Sequence, residues 1–289
     1  MNFTLRYWWF IYKGVLKGSL KIIAVFAAFT LFANIMTALP DGITASVFIN
    51  ALTHFLLLCV IFYFFMGLIT LLIIQHKRKY YEIVDKKGYC MEAFNYYQQT
   101  YIQGKPVNEN DYIEFAELYQ KFGDYDSAIR VLDSIKVPES NKSTRAIYIF
   151  EYMTVAVLKN DAALADDIWR LNSGFINSVV NDPKMSVSAN ALYLVMIYAD
   201  CIAGRYERAF QICRDFLNGN HIKKYKTYKE NFLVLKIYLL KKLGREAEIN
   251  PAVIEFNNYV AKEWQPLLEV TRTELRNDVE KAIRGELPV

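Results

Sequence analysis

Thirty-two consecutive residues, Ile43 to Ile74, carry no charged side chain, and their densest part, FLLLCVIFYFFMGLITLLII (55–74), is apolar on every face. About 20 such residues match the hydrocarbon thickness of a bilayer, whereas the core helix of a soluble protein keeps a polar side. A second uncharged run of 18 residues covers Ile22 to Leu39, and PDG at 40–42 parts the two runs with turn-forming residues. The pattern predicts two transmembrane helices, about 22–39 and 48–74, joined as a hairpin. The first run is not read as a cleaved signal peptide, because its basic residues spread over 21 positions and no small-x-small site follows it.

The flanks set an orientation. Arg6, Lys13, Lys17 and Lys21 precede the first run and HKRK (76–79) follows the second, while the loop between holds only Asp41. Basic flanks stay on the cytoplasmic side, so both termini are expected there, in an integral protein of a bacterial cell membrane. Residues 1–21, with Tyr7, Trp8, Trp9 and Tyr12 among cations, read as a basic, aromatic interfacial segment in contact with lipid. Asn34, Asn50 and His54 fall at similar distances from the turn and are expected to make interhelical membrane contacts by hydrogen bonding.

Past residue 74 the charge balances. Of 34 basic and 30 acidic residues, 30 and 29 lie in 75–289, so no nucleic-acid partner is expected. The lysine-rich HIKKYKTYK (221–229) reads as a solvated loop. Four cysteines (Cys59, Cys90, Cys201, Cys213) and three scattered histidines have no zinc-ligand spacing and imply free thiols. Phosphate-binding, dinucleotide-binding, zincin and nucleophile-elbow motifs do not occur. The chain is therefore expected to be no enzyme and to use no cofactor.

Apolar residues from 75 onward recur at three- and four-residue spacing, which predicts helices throughout. In DYIEFAELYQKFGDYDSAIRVLDSI (111–135), Tyr112, Phe115, Ala116 and Tyr119 precede Gly123 and Tyr125, and Ala128 and Leu132 follow. This arrangement resembles a tetratricopeptide repeat, in which small residues let two antiparallel helices approach and aromatics fill the seam. Equivalent turns fall at Gly88, Asn160, Gly204 and Gly244, giving spacings of 35, 37, 44 and 40 against a family period of about 34. Ile197 and Asp200 depart from the pattern, and Pro251 is expected to interrupt the last second helix. No proline or glycine lies between Leu68 and Lys87, which predicts one unbroken helix from 43 to 87. The expected fold is all-α: the transmembrane hairpin (22–74), a tetratricopeptide-like α-solenoid (75–264) and a C-terminal capping helix (265–289). Leu268, Leu275, Val279 and Ala282 or Ile283 form the cap's apolar stripe.

The resemblance implies a concave groove lined by the first helix of each pair. Its slots here are Ile113, Glu117, Phe150, Thr154, Leu194, Tyr198, Val234 and Tyr238. The family's carboxylate-clamping lysines and asparagine are missing, so the expected partner is a protein offering a helical or hydrophobic segment. The function expected is that of a membrane-anchored cytoplasmic scaffold that recruits or positions a protein. The alternative is an accessory subunit of a transport or secretion complex, packing through the hairpin.

Overall fold

The computed structural model describes residues 12, 28, 45–137, 141–182, 186–219, 228–263 and 269–288. Apart from residue 28, the first expected span, with Asn34 and the turn at 40–42, lies outside them, as does Leu268. Among the described residues the chain is helical, with no strand, and it divides into two units, Met1–Lys86 and Lys87–Val289.

In the first unit, helix α1 covers Ala45–Lys87, 43 residues, which at about 1.5 Å each is roughly 65 Å of unbroken helix. Within it Thr53–Leu72 has a mean hydropathy of 2.7 and is 6% buried, and among the described residues it is the one segment long and apolar enough to cross a membrane. Leu56, Leu57, Leu58, Val60, Phe64 and Phe65 point outward. Polar side chains here bond to their own helix. Thr53 donates to the Ile49 carbonyl at 2.8 Å and Thr70 to that of Met66 at 2.7 Å, so each of these two hydroxyls has a partner within its own helix. The Tyr12 hydroxyl donates to the Tyr63 carbonyl at 3.1 Å, beside the middle of the apolar segment rather than its end.

The second unit is a succession of paired helices. After α2 (Met91–Tyr97) and a π turn (Gln98–Ile102) come α3 (Glu109–Lys121), α4 (Tyr125–Asp133), α5 (Lys142–Leu158), α6 (Ala162–Val180), α7 (Ser186–Ile202), α8 (Tyr206–Asn218), α9 (Lys229–Lys242), α10 (Glu246–Glu263) and α11 (Glu269–Arg284). Each helix from α3 to α10 packs on its chain neighbour. α3 also meets α5, α5 meets α7, and α9 meets α11.

One turn geometry recurs between the paired helices. All five turn residues read from the sequence, Gly88, Gly123, Asn160, Gly204 and Gly244, have φ between 51° and 74°. At Gly123 the amide donates to the Gln120 carbonyl (2.9 Å) and the next amide, Asp124, donates back to Tyr119 (3.0 Å). The same two bonds recur at Asn160, Gly204, Gly244 and, after α11, Gly285. They satisfy carbonyls that a helix end otherwise leaves open. Asp124 and Asp161 then cap the following helices through their carboxylates, so only three residues separate one helix from the next.

Fixed turns place fixed slots in the seam. Five residues after each turn stand Ala93, Ala128, Ala165, Ala209 and Ile249, and seven before the last four stand Ala116, Met153, Ile197 and Ile237; all are buried. Ile197 therefore fills its slot despite departing from the pattern. Asp200, at the tyrosine position, is 2% exposed and lies 2.8 Å from Arg205 Nε and 3.2 Å from Arg208 Nε, an ion pair across its own turn. Pro251 does not interrupt α10. The carbonyl it leaves unbonded belongs to Ala247, and both residues are exposed, so water can serve it.

A Cβ at residue 123 would meet nothing within 4 Å, so only backbone strain opposes one there. Gly123→Ala should lower stability by about 1–2 kcal/mol, while Asn160→Gly should be neutral or stabilising. Chemical denaturation of the detergent-solubilised chain, followed by circular dichroism, checks the pair.

Candidate functional site

Seven of the eight groove slots, Ile113, Phe150, Thr154, Leu194, Tyr198, Val234 and Tyr238, are buried, and only Glu117 is half-exposed. Their surfaces are taken up within the fold. The Phe150 ring lies against Tyr198 (6.5 Å, stacked) and Tyr228 (5.4 Å). Tyr238 meets Tyr206, and Lys242 sits over both rings. Ile113 belongs to a separate cluster with Ala116, Ala128 and Leu132. Tyr198 and Val234 come together under α11, where they line a cavity of about 10 Å³ with Asn231, Leu275, Asp278 and Pro288. That is roughly the smallest space able to hold one water. In α11 Leu275, Val279 and Ala282 are buried and Ile283 is 40% exposed, which decides the stripe in favour of Ala282.

The inner face also carries charge that sequence reasoning missed. Glu151 is buried in α5, and its Oε2 accepts from Gln120 Nε2 at 3.0 Å. Burial pushes its carboxyl up to about 8, Glu117 adds to the shift, and the Gln120 bond and Lys121 oppose it. A signal existed: Glu151 is the one acid in KSTRAIYIFEYMTVAVL. Lys121 ends α3 and donates to Glu274 Oε2 of α11 at 3.0 Å, linking residues 153 apart in sequence. Burial opposes the Lys121 charge, but Glu274, Glu117 and Asp278 outweigh it and hold the ammonium above its ordinary value. One lysine thus serves Glu117 and Glu151 of the array and Glu274 and Asp278 of α11. Among the described residues no group of acids, histidines or cysteines is arranged to hold a metal ion. Tyr228, whose ring covers Phe150, has a left-handed backbone (φ 66°), an uncommon state for an aromatic residue.

In the first unit the His54 ring nitrogen Nδ1 lies 2.8 Å from the Asn50 carbonyl, one turn back on the same helix. Asn34 is outside the described residues.

The chain matches no protein-family model, no curated protein and no solved structure. The inner face is apolar and aromatic around Tyr198, acidic around Glu151, and covered at one end by α11.

Because the Glu151 carboxyl is raised, the folded chain holds its proton more tightly than the unfolded one. Its contribution to stability is lost as pH rises from the ordinary glutamate range toward about 8. Glu151→Gln removes the ionisation and should flatten the pH dependence. Its melting-temperature advantage over the parent should widen from about pH 5 to about pH 9. A constant difference across that range would show that Glu151 does not titrate there.

Proposed function

We propose that the chain is a membrane-anchored scaffold whose helical array recruits or positions a protein partner on the cytoplasmic side. The observation that carries the reading is the recurrence of one turn geometry through a helical unit, in a chain that also bears an outward-facing apolar segment of bilayer length. Stacked helix pairs present extended surfaces for binding, and each pair buries its own seam through the slots beside its turn. Thr53–Leu72 supplies the anchor, and the basic residues after it keep the array inside.

The burial of Tyr198, Val234 and Tyr238 shapes the proposal. As the chain stands, a partner meets residues that the array leaves outward, such as Leu171 at 72% exposure and Ile254 at 59%. Exposed apolar side chains beside polar ones suit a protein segment of mixed character.

Two measurements test this. With an impermeant thiol reagent in intact cells, a cysteine introduced as Gly42→Cys should label and native Cys90 should not; the reverse pattern would remove the cytoplasmic placement. Photo-crosslinkers placed separately at Leu171 and Phe64 of the full-length chain should give a protein adduct from the first and lipid adducts from the second. A polytopic-protein adduct from Phe64, with none from Leu171, would favour the accessory-subunit reading.

A further inference from the structure

Where α11 crosses the array, polar side chains from three helices meet at one small space. Tyr198 of α7, Asn231 of α9 and Asp278 of α11 line a cavity of about 10 Å³, together with Val234, Leu275 and Pro288. Half of the lining residues are therefore polar, whereas a cavity that stays dry is walled by apolar side chains.

Each polar group comes to this space with bonding capacity to spare. The Tyr198 ring is stacked on Phe150 at 6.5 Å and the residue is 1% exposed, so its hydroxyl is held away from bulk solvent. Among the described residues, neither that hydroxyl nor the half-buried Asn231 side-chain amide has a hydrogen bond. Asp278, with a side chain 13% exposed, accepts at Oδ1 from Lys281 Nζ at 3.0 Å, and Oδ2 remains to be served. Leaving a buried hydroxyl or carboxylate oxygen without a partner is costly, and folded proteins satisfy nearly all such groups with protein or with ordered water.

Size and charge decide what fills the gap. A cavity of about 10 Å³ has room for the centre of one water and for nothing larger. A hard cation needs about six oxygen ligands, and the Asp278 charge is already met by Lys281. No group of acids, histidines or cysteines among the described residues is arranged to hold a metal ion. An anion would face Asp278 itself. A water both donates and accepts, which matches a site made of a hydroxyl, an amide and a carboxylate.

We propose that this cavity is a binding site for one integral water, which accepts from the Tyr198 hydroxyl, donates to Asp278 Oδ2 and makes its third bond with the Asn231 amide, and so ties α7 and α9 to α11. Asp278 stands beside the apolar stripe of Leu275, Val279 and Ala282, where the stripe joins the main core. An apolar residue in its place would leave the Tyr198 hydroxyl unserved; the water satisfies both groups without a direct bond between them. No partner enters this inference, and it stands apart from the scaffold reading.

A density map of the full-length chain, at a resolution that shows ordered water, tests the site. One isolated peak should stand about 2.5–3.2 Å from Tyr198 Oη, the Asn231 side chain and Asp278. A map with no peak there, or a peak ringed by about six oxygens at roughly 2.3–2.6 Å as a cation would be, would overturn the proposal. A melting series followed by circular dichroism in detergent tests it in solution. Tyr198→Phe keeps the stacked ring, removes one bond of the water and should lower the midpoint by about 2–4 °C. In a chain that also carries Asn231→Leu, the same substitution should cost about half that or less, because the water has already lost a partner. A Tyr198→Phe chain that melts with or above the parent, or an equal drop in both backgrounds, would also overturn the site. Should Asn231→Leu unfold the chain, the map and Tyr198→Phe alone still decide.

Discussion

A right-handed helix can reverse within three residues only if one of them takes a positive φ, and Gly123, Asn160, Gly204 and Gly244 supply that residue between successive helices of the second unit. The rest of the array depends on this constraint. With the reversal fixed, the residue five positions later always lands in the seam, and close approach there requires a small side chain. Alanine occupies it at 93, 128, 165 and 209. Ile249, 7% exposed, breaks the series in the last pair. Burying such a side chain contributes roughly 1.5–3 kcal/mol, comparable to what the left-handed turn would lose with the wrong residue.

These local features were legible in the sequence because both the turn residue and the small seam residue are chemically distinctive and close together. The unbroken helix from Ala45 to Lys87 was legible for the same reason, since nothing in it could end it. What escaped were contacts between residues far apart. Lys121 and Glu274 each look like an ordinary solvated charge in a polar stretch, and only the path of α11 brings them within 3.0 Å. The groove slots were read as a surface open to a partner, but that α11 covers Tyr198 and Val234 depends on where a helix some forty residues beyond α9's start comes to rest. Pro251 was misjudged because a proline reads as a break until the exposure of the carbonyl it abandons is known.

Two buried carboxylates show how the same chemistry serves different ends. Asp200 has two guanidinium groups within 3.2 Å, Arg205 from the turn that follows and Arg208 from the first residues of α8, and so ties the turn to the next helix where the pattern's tyrosine is missing. Glu151 has an amide donor and a shared lysine instead, and burial leaves it on the edge of ionisation. The first is compensated locally and is a part of the scaffold. The second is compensated from α3, and its charge bears on the lysine that also holds α11.

Recognition follows from what cohesion leaves over. A helical array that buries its aromatic slots against its own neighbours gains stability and loses those surfaces for binding, so whatever engages it must use the outward residues or wait for a covering element to move. In this chain that element is a single amphipathic helix, α11, whose apolar stripe joins the main core and whose Glu274 meets Lys121 of α3.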